Sequence, residues 1–157
     1  MNYGFVRVAT AVPSVKVANC EYNISQMEEL IIQACESHAE VICFPELSVT
    51  SYTCQDLFHQ ELLLEEAELA FMKLVDATRS MNIIVIVGLP ISFGGVLYNC
   101  AAVFFKGKIL GYVPKSYLPN YQEFICQIME SFMKSVGSPL PWICLIPRSI
   151  MQANRLA

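Results

Sequence analysis

Residues 82–91 read NIIVIVGLPI, and this run is the strongest indication of the fold class. From Asn82 to Leu89 it contains too few polar residues to face water on either side, which is typical of a strand with both faces covered. It has about half of the roughly 20 apolar residues that a membrane-spanning helix needs. We therefore expect a buried strand inside a layered, non-membrane protein.

The segments on either side predict further strands and helices. Hydrophobic periodicity predicts strands over 5–12 and 41–44, helices over 19–38 and 61–80, and a hairpin formed by 96–105 and 108–113. The order is strand, helix, strand, helix, strand and hairpin. This order indicates an α/β fold in which the helices pack on one face of a sheet.

The start of the first helix has two candidate signals. Asn19 is a candidate N-cap, because its side chain can accept a hydrogen bond from the first turn. Ser25 and Glu28 form a competing capping box a few residues later. The sequence leaves both open.

Composition excludes several classes of function. The chain has 157 residues, enough for one domain with a real core. Hydrophobic residues make up 55% and charged residues 15%. This composition suits an α/β sandwich or a fragment that normally packs against further protein. A net charge of −4 without a basic cluster argues against nucleic-acid binding. The first residues lack the basic and apolar regions of a signal peptide.

The seven cysteines are scattered and contain no CxxC pair. This odd, dispersed set indicates free thiols in a reducing compartment rather than a disulfide framework or a zinc site. We expect a cytoplasmic protein without a bound metal.

Two charged residues follow predicted strands and are candidates for chemistry. Glu46 comes just after the apolar strand that ends CFP, so we expect little water around its carboxylate, an environment suited to a general base. The alternative is a carboxylate that caps a loop or helix. Lys115 follows the strand over 108–113 and is suited to stabilising an oxyanion or holding the glutamate ionised. Its alternative is an ordinary solvated lysine.

These residues lie in stretches that resemble a known family. FPEL, with a tyrosine shortly after it and a strand ending in PK much later, is similar to the nitrilase (carbon–nitrogen hydrolase) superfamily. YTCQDLF and PKSYLPNYQEF are more specific and resemble the N-terminal glutaminase domain of bacterial glutamine-dependent NAD synthetases. The resemblance covers about residues 4–124. It implies a nitrilase-like αββα sandwich, incomplete at its C-terminal side, in an enzyme class that uses a Glu–Lys–Cys triad.

Carried over by position, the resemblance assigns roles to five residues. Glu46 matches the general base and Lys115 the oxyanion-side lysine. Tyr52 and Tyr121 match aromatic residues of the glutamine pocket. Glu123 is the candidate for an additional acidic residue, although the family continues EFYE where this chain has EFIC, so a surface carboxylate is the alternative.

The chain departs from the family at the nucleophile. No C-E-D stretch is present; Cys126 follows Lys115 too closely, and Cys144 lacks the acidic residues that should follow it. The five earlier cysteines are interpreted as small core residues. Residues 1–124 are thus predicted to be the N-terminal part of a glutaminase domain. Residues 125–157 are predicted to be an unmatched tail, from a frameshifted or truncated reading of a longer gene.

Three functions remain open at this point. The first is part of a glutamine amidotransferase for NAD synthesis, which is inactive alone because the nucleophilic cysteine is missing. Glutamine would be its substrate, and ATP and magnesium would belong to a synthetase domain that is missing here. The second is another amidase of the superfamily, and the third is a catalytically dead assembly module. In each case we expect a homo-oligomer, because a cut sandwich exposes apolar surface.

Overall fold

The computed structural model describes residues 4–115, and all structural statements below concern these residues. They contain five strands, two α-helices and one irregular segment of 3-10 turns. In chain order these are β1 (Val8–Thr10), α1 (Cys20–Glu36), β2 (Val41–Cys43), the 3-10 segment (Tyr52–His59), α2 (Glu61–Ala77), β3 (Ile84–Phe93), β4 (Val96–Phe105) and β5 (Lys108–Pro114).

The strands form a single sheet in the order β1-β2-β3-β4-β5. The first three strands are parallel, whereas β4 is antiparallel to both β3 and β5. Consequently β5 runs in the same direction as β2 and β3, and the carboxyl ends of these strands lie at the same edge of the sheet. The α/β class predicted from the sequence is confirmed.

The helices form a layer on one face of the sheet. Phe71 of α2 meets the ring of Phe104 edge-on at 5.6 Å between centroids and lies 6.0 Å from Tyr112. α1 packs beside α2, and its buried residues Met27 and Ile31 belong to the same core. The predicted placement of helices against one face is therefore confirmed.

The central strand is longer than its sequence pattern indicates. β3 continues through Pro90 to Phe93 and reaches β4 through a turn at Gly94 and Gly95, both with positive φ. The predicted strand ended at Leu89. Proline is tolerated here because β2 pairs with β3 only as far as Ile86, so no strand on that side needs a donor from Pro90.

The first strand and the first helix are shorter than predicted. β1 has three residues because β2 offers only three partners, and Phe5 and Val12 on either side are more than 80% exposed. Asn19 is the N-cap of α1 and accepts a hydrogen bond from the Tyr22 N–H. The competing capping box is wrong, because Ser25 lies within the helix and donates to the Tyr22 carbonyl.

Candidate active site

Glu46 lies on the segment that leaves the carboxyl end of β2. Phe44 extends the pairing of that strand by donating its N–H to the Ile86 carbonyl at 2.9 Å. Pro45, which has no N–H, ends the pairing. The chain then turns across β3, so that Glu46 reaches toward β4 and β5 rather than continuing along its own strand.

Gly88 makes this crossing possible. A Cβ at position 88 would lie within 2.7 Å of the Pro45 carbonyl oxygen and 2.8 Å of the Glu46 Cα, and it would collide with the Leu47 nitrogen. All three are backbone atoms, which cannot rotate away as a side chain can. The missing side chain of β3 is therefore the space through which the Glu46 segment passes.

Helix α1 anchors the chain just after the crossing. Asn23 is fully buried, and its side-chain amide donates to the carbonyls of Val49 and Lys16, both at 2.9 Å. Its Oδ1 accepts from the Lys16 N–H at 2.7 Å. Val49 in turn donates its N–H to the Gly88 carbonyl at 3.2 Å. These bonds hold the backbone beyond Glu46 against both the helix and β3.

Lys115 reaches Glu46 from β5, the edge strand at the opposite end of the sheet from β1. It follows the last residue of β5, and its backbone N–H donates to the Asn99 carbonyl at 2.8 Å. Its Nζ lies 2.7 Å from Oε1 of Glu46, within the range of a charge-assisted hydrogen bond. β2 and β5 are separated by two strands, or roughly 14 Å. The pair forms only because the Glu46 segment crosses that gap.

Asn99 of β4 completes the group. Its side-chain amide donates to the same Oε1 of Glu46, and the residue is 7% exposed. A buried amide needs a partner, and here the carboxylate is that partner. Neither Asn99 nor Gly88 is predicted as a site residue from the sequence. A polar residue inside the apolar run LYNCAAVFF and a glycine inside IVIVGLPI were the signals that could have found them.

The prediction that Glu46 has little water around it is wrong. Its side chain is 38% exposed and that of Lys115 is 35% exposed. Pro45 and Glu46 are exposed at the carboxyl end of β2, although Leu47, the next residue, is fully buried in the core. An ion pair this accessible contributes up to about 1 kcal/mol of stability.

A cavity of about 340 Å³ opens beside the pair. Glu46, Asn99 and Lys115 provide its polar lining, and the remaining walls are mostly apolar residues from the ends of β2 to β5. A small amide bound there would have apolar surroundings and a carboxylate, an ammonium and an amide donor on one side. This arrangement can move a proton and stabilise a negatively charged oxygen.

Two thiols, those of Cys43 and Cys100, also line the cavity. Cys100 is buried, and so are Cys20 and Cys54, as expected of small core residues. Burial raises the pKa of the Cys20 thiol to about 12 and also raises the pKa of Cys54. Cys35 is partly buried and packs against the core, whereas Cys43 is partly buried and lines the cavity. Cys126 and Cys144 lie outside the described residues.

Of the remaining predicted site residues, Tyr52 alone lies within residues 4–115, and it is not brought to the pair. Tyr52 begins the 3-10 segment, is 47% exposed, and is not among the described residues that line the cavity. Tyr121 and Glu123 lie outside the described residues. Within residues 4–115, no group of three or more cysteine, histidine or acidic side chains can hold a metal ion. No helix in that part of the chain is long and apolar enough to cross a bilayer.

The family follows from a comparison of the whole sequence with known families. Residues 6–134 match the model of the carbon-nitrogen hydrolase family. The chain belongs to the carbon-nitrogen hydrolase family. The nitrilase-like fold class expected from the sequence is thereby confirmed.

Curated relatives of this carbon-nitrogen hydrolase are glutamine-dependent NAD(+) synthetases. The protein from Mycobacterium leprae is 34% identical over 121 residues, which cover 77% of this chain and 18% of the relative. The protein from Aquifex aeolicus is 36% identical over 117 residues, which cover 71% of this chain and 20% of the relative. The resemblance drawn from the sequence is confirmed, and the chain spans about a fifth of the length of these relatives.

Two solved structures are similar to this chain in fold. A glutamine-dependent NAD(+) synthetase from Cytophaga hutchinsonii superposes with a TM-score of 0.69 at 26% identity, covering 91% of this chain and 22% of that one. An amidase from Nesterenkonia sp. superposes with a TM-score of 0.62 at 18% identity, covering 75% of this chain and 45% of that one. The second likeness concerns the fold alone.

Proposed function

We propose that this chain is part of a glutamine amidotransferase that hydrolyses glutamine to supply ammonia for ATP-dependent NAD synthesis from nicotinic acid adenine dinucleotide. The observation that carries the proposal is the 2.7 Å contact between Lys115 and Glu46 above a cavity. The similarity to NAD synthetases over three quarters of the chain selects glutamine among possible amides.

In the proposed chemistry Glu46 is the general base. It takes the proton of a cysteine thiol as the sulfur attacks the side-chain amide carbon of glutamine. Lys115 stabilises the negative oxygen that forms, and Glu46 then protonates the departing ammonia. Water, activated by the same carboxylate, cleaves the thioester and releases glutamate. Asn99 keeps the Glu46 carboxylate directed at the cavity throughout.

The cysteine is the component that this chain does not supply in a recognisable context. We therefore expect no release of ammonia from glutamine by the purified chain. If turnover is found, the variants Cys43→Ala, Cys100→Ala and Cys144→Ala identify the nucleophile. The first two residues line the cavity, and the third lies in the apolar run PWICLIP. Turnover that is lost in any of these variants would overturn the proposal that the nucleophile is missing.

Glutamine binding tests the substrate assignment without requiring turnover. Titration of L-glutamine into the isotopically labelled chain should shift the amide resonances of Asn99 and Lys115. Lys115→Met should weaken this response, because it removes the ammonium that binds Glu46. Lys108→Met is the matched control, since that lysine begins β5 at the opposite end from the cavity. A simple aliphatic amide that shifts these resonances when glutamine does not would indicate the other amidase.

The broader setting of the reaction is part of the same proposal. ATP and magnesium would act in a synthetase domain joined to or associated with this one, and the reaction would take place in the cytoplasm. Self-association is also expected. Absence of any response to glutamine or to a simple amide would support the alternative of an assembly module.

A further inference from the structure

Another cavity lies on the helix face of the sheet, between the start of α2 and the end of β3. Its volume is about 290 Å³, and it shares no lining residue with the cavity beside Glu46. β3 pairs with β2 only as far as Ile86 but continues along β4 to Phe93, so its last residues extend beyond β2. We call this cavity the α2 groove; its floor is formed by Leu64, Phe71, Leu89, Pro90, Ile91 and Tyr112.

The floor of the α2 groove is apolar and aromatic. Phe71 and Leu89 are at most 1% exposed, and the Tyr112 ring lies 6.0 Å from that of Phe71. Ser92, at one end of the groove, is exposed, so solvent reaches the cavity from that side. An occupant that buries apolar surface against this floor is therefore favoured over a strongly hydrated one.

One wall of the α2 groove is acidic. Glu61, Glu65 and Glu68 line it at helical spacings of four and three, so their side chains share one side of α2. Within residues 4–115, none of the lining residues carries a positive charge. The helix dipole favours Glu61, in the first turn, but its effect falls off before Glu68. Negative charge beside an apolar floor is complementary to an occupant that joins a cation to an apolar side chain.

The chain after Lys115 contains a segment of this composition. Residues 142–148 read WICLIPR, and they lie beyond residues 6–134, which match the family model. Pro147 disfavours a helical conformation at Ile146 and favours an extended one. In an extended chain, side chains two residues apart point the same way, so Ile146 and Arg148 face one surface about 7 Å apart. The segment thus presents an apolar side chain and a guanidinium together.

We propose that the α2 groove is the docking site of this segment from the same chain, with Ile146 on the apolar floor and the Arg148 guanidinium against the glutamates. Tyr112 of the floor lies three residues before Lys115, so the chain leaves the described fold close to the groove. A tether of about 30 residues joins Lys115 to the segment and makes docking intramolecular, so that individually weak contacts suffice. The guanidinium can donate two parallel hydrogen bonds to a carboxylate and can stack on an aromatic ring.

The two other cations in the chain after Lys115 fit the α2 groove less well. Lys134 lies inside the family match, and its ammonium lacks the planar fork that binds a carboxylate through two hydrogen bonds. Arg155 has alanines two residues away on either side, and these bury little apolar surface. Arg148 has isoleucines at the same two positions and is favoured for that reason.

Trp142 makes the proposal testable in the full 157-residue chain, because it is the only tryptophan and lies within the segment. Quenching of its fluorescence by acrylamide, a neutral probe, should be at least several-fold weaker in the wild type than in Arg148→Glu. Glu65→Lys should remove the protection in the same way, since it replaces a partner of the guanidinium by a cation.

The double variant of Arg148→Glu and Glu65→Lys exchanges the two charges. It should restore most of the protection of Trp142, which a general loss of structure would not do. Glu29→Lys is the matched control: that glutamate is exposed on α1 outside the groove, so quenching should equal that of the wild type.

Carbodiimide cross-linking provides a second measurement that leaves the acidic wall unchanged. Arg148→Lys keeps the positive charge and introduces an amine, which carbodiimide should join to Glu61, Glu65 or Glu68. Peptide mass spectrometry identifies the link. Arg155→Lys is the control and should give no link to these glutamates. The link should form within chains of monomer mass at every protein concentration, because the segment docks on its own chain.

Three results would overturn the proposal. Equal quenching of Trp142 in the wild type and in Arg148→Glu would mean that the segment does not dock through this arginine. Protection that persists in Glu65→Lys, with no link to the acidic wall, would place the segment on another surface. Links found only between two chains would assign the groove to a second copy. None of these outcomes depends on glutamine binding, so this proposal and the glutaminase proposal fail independently.

Discussion

Asn99 binds Lys115 through its backbone and shares a partner with it through its side chain. Its carbonyl accepts the Lys115 N–H at 2.8 Å, and its amide donates to the same oxygen of Glu46 that the lysine ammonium contacts. One residue of β4 thus fixes where β5 ends and where the carboxylate points. The candidate site depends on the pairing of these two strands as much as on its charged residues.

Replacing Asn99 by leucine should lower the free energy of unfolding by about 1–2 kcal/mol. The buried amide that meets Glu46 is removed, and the carboxylate loses a donor. Urea unfolding at neutral pH measures the difference. Asn82→Leu, at an exposed position just before β3, is the control and should change stability by less than about 0.5 kcal/mol. Equal effects of the two variants would mean that the Asn99 contact contributes nothing.

The Glu46–Lys115 pair should contribute little to stability despite its short distance. Both side chains are more than one third exposed, so a double-mutant cycle with Glu46→Gln and Lys115→Met should give a coupling of at most about 1 kcal/mol. The coupling should decrease in concentrated salt. A coupling energy above about 2 kcal/mol that does not change with salt concentration would show that the pair is desolvated in solution.

Gly88→Ala should be much more damaging than alanine at another glycine. Its Cβ meets backbone atoms of Pro45, Glu46 and Leu47, and relieving the overlap displaces the Glu46 segment at a cost of about 2–3 kcal/mol. Gly94→Ala is the control, because a Cβ there meets open space. Only the positive φ of that residue should lower the free energy of unfolding, by about 1 kcal/mol. Amide chemical shifts of residues 46 and 47 should move only in Gly88→Ala. Gly88→Ala with wild-type stability would contradict the crossing geometry.

Asn23→Ala should cost about 2–3 kcal/mol. It removes three hydrogen bonds of a fully buried side chain and leaves the Val49 carbonyl without that donor. Thermal and urea unfolding measure the loss. Gln33→Ala, on the exposed side of the same helix, should leave stability nearly unchanged. A loss below about 1 kcal/mol for Asn23→Ala would mean that water replaces these contacts.

The Cys20 thiol should make the protein less stable in alkali. Burial raises its pKa from 9.0 to about 12, with nearby Glu66 and Cys54 adding to the shift. Between these values the unfolded chain releases the proton and the folded chain retains it, so the stability contributed by the neutral thiol falls as pH rises. The slope approaches 1.4 kcal/mol per pH unit. Unfolding of wild type and Cys20→Ala from pH 8 to 11, with reductant present, should give a shallower decline for the variant. Parallel curves would contradict the shift.

Much of the fold was predictable because hydrophobic periodicity is a local property of the sequence. The apolar run in NIIVIVGLPI, the helical spacing after Asn19 and the hairpin at Lys106–Lys108 each predict their element without knowledge of the rest. The ends of the elements were less predictable, because they depend on partners. β1 is short since β2 offers three residues, and β3 runs through Pro90 since β2 does not pair with it there.

The sequence by itself determined the order of strands and helices, the family, and the presence of Glu46 and Lys115 after two strands that run the same way. Only the tertiary structure decided that these two residues meet. Their strands, β2 and β5, lie three inter-strand spacings apart in the sheet. Contact requires the Glu46 segment to cross β3, where Gly88 leaves space for it, and the Asn99 amide then donates to the Glu46 carboxylate. It also decided that the Glu46 side chain is more than one third exposed, because solvent access depends on what packs around a segment. Spacing along the chain carries no information about that packing.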